Sequence, residues 1–90
     1  MFNHYEEERV MGAQIQKVKY TIHKVLEGCE KEKIPEVQFG WSGMSIDVYL
    51  SGGSYQVRNM IESHFVNSKK YRGVEVQNND TKKRISFVLK

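Results

Sequence analysis

The stretch Glu36-Val37-Gln38-Phe39-Gly40-Trp41-Ser42-Gly43-Met44-Ser45-Ile46-Asp47-Val48-Tyr49-Leu50 alternates apolar and polar residues on both sides of Ser42-Gly43. Alternation at period two marks a half-buried strand, and a two-residue break between two such runs marks a hairpin. With Ser42-Gly43 as the turn, Trp41 faces Met44, Phe39 faces Ile46 and Val37 faces Val48. All six are apolar and share one face, as an antiparallel pair with one buried side requires. Gln38, Gly40, Ser45, Asp47 and Tyr49 fall on the other face, which should meet water.

Downstream, Ser51-Gly52-Gly53-Ser54 ends the hairpin and opens a helix, with Ser54 placed to cap it. Val57, Met60, Ile61, His64 and Phe65 give that helix its stripe, which fades in Asn67-Ser68-Lys69-Lys70. A second hairpin follows, in which Gly73-Val74-Glu75-Val76-Gln77 and Arg84-Ile85-Ser86-Phe87-Val88-Leu89 flank a polar tip. With Asn79-Asp80 as its turn, Val74 faces Ile85 on the inner side and Glu75 faces Arg84 on the outer side.

Upstream, Met11, Ile15, Val18, Ile22, Val25 and Cys29 recur at alternating spacings of four and three, with Leu26 widening the stripe. That is the apolar face of an amphipathic helix. The pattern predicts a helix from about residue 5 to residue 31, about 40 Å long at 1.5 Å per residue. Asn3 and Glu6 have the spacing of a capping box, Gly28 offers an early end and Pro35 forbids continuation. The order helix, hairpin, helix, hairpin predicts a single α+β domain over residues 1–90. One hairpin is marginal by itself, so the economical solution is a two-layer sandwich: a four-stranded antiparallel sheet with both helices on its apolar face. Alternation does not fix the order of strands across that sheet.

An apolar share of 39% and a charged share of 28% suit an ordinary water-soluble domain. No stretch approaches the roughly 20 apolar residues that span a bilayer. The opening Glu6-Glu7-Glu8 is acidic where a targeting peptide would be basic, and Cys29 is the sole cysteine, so the chain reads as cytoplasmic. The net charge of +3 is uneven: residues 1–50 hold six Lys/Arg against eight Asp/Glu, and residues 51–90 hold eight against three. The halves therefore carry −2 and +5, and the positive half favours an anionic partner.

Catalysis needs convergent groups, and none stands out. Cys29 lies on the apolar stripe, where cysteine acts as a small hydrophobe. His4, His23 and His64 have no ligand spacing to one another or to Cys29. His23 with Glu27 one turn on reads as a surface ion pair, and His64 beside Phe65 as the edge of the core. Asp47, Glu62 and Glu75 show no pairing signature. The expectation is a non-enzymatic protein with no metal and no cofactor.

Three surfaces could bind. Lys69, Lys70, Tyr71 and Arg72 precede the final hairpin, and Lys82 and Arg84 lie within it, with Lys83 turned to the helix side. Such clusters, a strand length apart at roughly 17–20 Å, could follow a nucleic-acid backbone while Tyr71 stacks on a base. They could equally be a solvated surface that blunts an edge strand. Gly52, Gly53 and Ser54, with Arg58 one turn into the helix, form a candidate anion site at a helix start, against the plainer reading of a capped turn. It is neither a P-loop nor a dinucleotide fingerprint. The long first helix should overhang strands of about 20–24 Å, which would leave Met11 and Ile15 for a partner or a second copy in a homodimer. Neither zinc-finger spacing nor ribonucleoprotein aromatics are present, and a strand stands where a winged helix-turn-helix needs a helix.

These surfaces lead to two expectations. The first is binding of nucleic acid, RNA or single strand, through the basic clusters. The alternative is an inhibitor or adaptor that docks on a larger protein through the outer sheet face or the long helix.

Overall fold

The computed structural model describes the backbone of residues 4–89 and the side chains of residues 11–89. In chain order the elements are α1 (His4–Leu26), a 3-10 turn (Lys31–Lys33), β1 (Glu36–Ser42), β2 (Ser45–Ser51), α2 (Tyr55–Asn67), β3 (Tyr71–Asn79) and β4 (Lys82–Leu89). The strands form one antiparallel sheet in the order β1-β2-β4-β3. This is the expected α+β sandwich. The capping box at Asn3 and Glu6 lies outside the described residues.

α1 stops at Leu26 rather than continuing to residue 31, because the chain turns at Gly28 and the Cys29 N–H donates back to the Leu26 carbonyl at 3.0 Å. Its stripe is buried down to its first described side chain: Met11 is 2% exposed and Ile15 packs against the same cluster. The overhang expected at Met11 and Ile15 is therefore absent. Met11 to Leu26 spans about 24 Å, which strands of seven to nine residues cover in full. α2 begins as expected, with the Ser54 hydroxyl accepting from Val57 N–H at 3.1 Å.

Both hairpins keep the expected faces but shift their pairing by two residues. In the first, Trp41 faces Ile46, Phe39 faces Val48 and Val37 faces Leu50, so Gly43-Met44 is the turn. Gly43 has φ of +61° while Met44 does not enter the left-handed region. A two-residue turn with a positive φ only at its first central position wants glycine there, and Ser42-Gly43 would have put serine in that place. Met44 consequently leaves the core and is 61% exposed. In the second, Val76 faces Ile85 and Gln77 faces Arg84, and the turn is Asp80-Thr81 with Asp80 at φ of +51°. Glu75 meets Ser86 instead of Arg84.

A bulge sits between Arg72 and Glu75, with Gly73 at φ of +61°. The extra residue reverses the alternation of β3 beyond it. Tyr71 then points inward and Arg72 outward. Tyr71 is 6% exposed, with its ring centroid 4.9 Å from that of Phe65 and 4.7 Å from that of Phe87. Ile46, Val48, Leu50, Ile85 and Phe87 line the inner face of the two central strands against Val18, Ile22, Val57, Ile61 and Phe65. Trp41, at the end of an edge strand, is 38% exposed.

Candidate nucleic-acid interface

With both helices on one side, the other face of the sheet is open. Its side chains fall in rows that cross all four strands. One row runs Gln38, Tyr49, Arg84, Gln77; the next, toward the β3-β4 tip, runs Glu36, Ser51, Lys82, Asn79. Together they bound a shallow concavity of about 410 Å³. Tyr49 lines it with 41% of its surface exposed. Its ring leans over Gly40, where an added Cβ would lie 3.4 Å from Tyr49 Cε2, and the Arg84 guanidinium lies 5.7 Å from the ring centroid. The absent side chain at position 40 leaves room for the ring beside the sheet, and the residue keeps a large share of its surface open to solvent or ligand.

Arg84 also reaches Asp47 Oδ1 at 3.4 Å, and the Ser86 hydroxyl donates to the same oxygen at 2.5 Å. These partners satisfy a carboxylate that is only 6% exposed on an otherwise open face. A guanidinium carries five N–H donors, so this long contact leaves most of them available to an anion. Lys82 is exposed and has no ion pair among the described residues.

The remaining candidates are distributed differently. Lys69, Lys70 and Arg72 are exposed at the opposite end of the β3-β4 hairpin, where Arg72 pairs with Val88. Arg72 and Asn79 are seven residues apart, about 23 Å of strand, so the two basic clusters do not converge. Tyr71 cannot stack on a base, because the bulge has turned it into the core. Lys83 faces inward as alternation required; its ammonium donates to Glu62 and, at 3.0 Å, to Asn59 Oδ1, both on α2.

The Gly52-Gly53-Ser54 turn, the candidate anion site, is tied down by its own hydrogen bonds. Arg58 is 6% exposed and donates to the carbonyl oxygens of Gly52 and Gly53. The Gly52 N–H donates to Thr81 O and the Ser54 N–H to Lys33 O, both at 2.9 Å, while the Ser54 hydroxyl is spent on its cap. A Cβ at Gly53 would lie 2.5 Å from Pro35 N, so the backbone of residues 33–35 packs directly against that glycine.

Cys29 is half-buried against the core, and His64 is exposed with its ring centroid 5.7 Å from that of Phe65. Glu27 pairs with Lys24 at 3.6 Å, not with His23. Among the described residues no three His, Cys, Asp or Glu side chains gather as a metal site would need. No described helix is long and apolar enough to cross a membrane.

Tyr49, Gln38, Gln77 and Asn79 were not among the site residues the sequence pointed to. Alternation put Tyr49 on the outer face, but only the adjacency of β2 and β4 brings Arg84 beside it. A scan against protein-family models and comparisons with curated proteins and with solved structures found no match.

Proposed function

We propose that this chain is a non-enzymatic cytoplasmic protein that binds single-stranded nucleic acid, RNA or DNA, across the open face of its sheet. The observation that carries the reading is Tyr49, an exposed aromatic side chain that lines the concavity in the row between Gln38 and Arg84. A base stacks on an exposed tyrosine without regard to its identity. Gln38, Gln77 and Asn79 supply amide groups that donate to and accept from base edges. Lys82 and Arg84 supply the charge for the backbone. The pleated face offers no protruding helix or ribbon to enter a duplex groove, which favours single strands.

The test is fluorescence anisotropy with labelled RNA and DNA oligonucleotides at low salt. Tyr49→Ala should lose about 1–3 kcal/mol of binding, roughly 5- to 150-fold, with unchanged thermal stability. Lys69→Ala with Lys70→Ala should change little. If the wild-type protein binds neither RNA nor DNA, the reading fails and docking on a protein leads. That second reading has its own support: Glu36 and Glu75 interleave with Arg72, Lys82 and Arg84 on the open face, a mixed pattern that suits a protein surface of complementary charge.

A further inference from the structure

We propose that the outer edge of β1 pairs antiparallel with the same edge of a second copy of this chain, centred on Phe39, joining two sheets into one of eight strands. The inference does not depend on the ligand of the open face. The order β1-β2-β4-β3 leaves β1 and β3 as edges, and the two differ. β3 is broken by its bulge and carries Arg72 and Glu75, devices that discourage a further strand. β1 runs through seven unbroken pairs, and between Glu36 and Ser42 it holds no charge and no proline.

The turn geometry shows which backbone groups are free. A two-residue turn makes Ser42 and Ser45 a hydrogen-bonded pair, and bonded pairs then alternate along the ladder. Gly40, Gln38 and Glu36 therefore bond to β2, while Val37, Phe39 and Trp41 direct N–H and C=O outward. Among the described residues no hydrogen bond outside the ladder reaches these three. Their side chains are also the half-buried or exposed apolar ones of the edge, with Trp41 38% exposed.

Pairing about Phe39 satisfies both sets at once. Phe39 meets its own counterpart, Val37 meets Trp41 in both directions, and Gln38 meets Gly40 on the open face. All three outward residues then sit in hydrogen-bonded pairs with apolar partners on the helix side. A register two residues away in one direction sets Trp41 against Pro35, which has no N–H, and in the other sets Val37 against the turn. The match is isologous, as a two-fold dimer requires.

One charge opposes it. Lys19 Nζ lies 5.5 Å from the Phe39 ring centroid, so the dimer brings two ammonium groups to one patch. Salt screens that repulsion, and dimerisation should therefore strengthen with salt, whereas nucleic-acid binding weakens.

The test is sedimentation velocity on the free protein, from micromolar to about 0.5 mM because an edge contact is a small interface, together with amide hydrogen exchange. The expected result is a monomer-dimer equilibrium that tightens with salt, in which the Val37, Phe39 and Trp41 amides gain protection as concentration rises. Trp41→Lys should remain folded and monomeric. A monomer at every concentration overturns the proposal. So does a dimer in which those three amides exchange as fast as in the monomer, and so does protection that ignores concentration, since another segment of the same chain would then cover the edge.

Discussion

Arg58 and Lys83 are both cations withdrawn from water, and the fold uses them in different ways. Arg58 ties the Gly52 and Gly53 carbonyls to the start of α2, so it belongs to the backbone of the loop. Lys83 joins the sheet to α2 through Glu62 and Asn59, with its side chain 4% exposed against 29% for Glu62. Removing the carboxylate strands a buried ammonium, whereas removing the lysine frees a carboxylate that water already reaches. Glu62→Ala should therefore cost about 3 kcal/mol, while Lys83→Met, which keeps the volume and drops the charge, should change stability by less than about 1 kcal/mol. Urea unfolding of the two variants checks the asymmetry, and equal losses would mean that the pair is held by packing alone. Alternation along β4 already turned Lys83 toward the helices. Its partner was not legible, because Glu62 lies twenty-one residues away and only the packing of α2 brings it there.

At the scale of elements, the parity of each hairpin was legible and its register was not. Period two assigns faces, and a shift of two residues preserves every assignment, so the alternation of Val37, Phe39, Ile46 and Val48 cannot distinguish the two pairings. The distinguishing information lies in the turn, where Gly43 takes the one position that demands a positive φ. Gly73 carries a similar signal: a glycine inside an alternating run marks a bulge. That bulge decides whether Tyr71 or Arg72 enters the core, and hence whether Tyr71 is packing or ligand surface. Gly73→Ala forces a Cβ into the left-handed region and should cost about 1–2 kcal/mol. If the bulge is lost instead, Tyr71 leaves its cluster with Phe65 and Phe87, and the near-ultraviolet circular dichroism of that cluster should collapse. A variant as stable as the parent with an unchanged spectrum would show that the bulge does not need its glycine.

For the whole molecule, the excess charge of residues 51–90 is real but divided. Lys83 and Arg58 are buried, Lys69 and Lys70 lie beyond the far end of the sheet, and Arg72, Lys82 and Arg84 remain on the open face. Summing charges along the sequence could show the excess but not this division, which depends on strand order and on one bulge. The division has a measurable consequence. A single strand that follows the open face meets about three cations, so log affinity should fall against log salt with a slope near −2. A strand that continues to Lys69 and Lys70 meets about five, and the slope approaches −3.5. Lys82→Ala should make the shallower slope shallower still, by about 0.7, and Lys69→Ala with Lys70→Ala should leave it unchanged. The titration belongs at micromolar protein, where an edge-paired dimer is dissociated and its opposite response to salt does not enter. Binding that ignores salt would mean that the face reads its partner without phosphates, and the charges interleaved across it would then be matched to a protein.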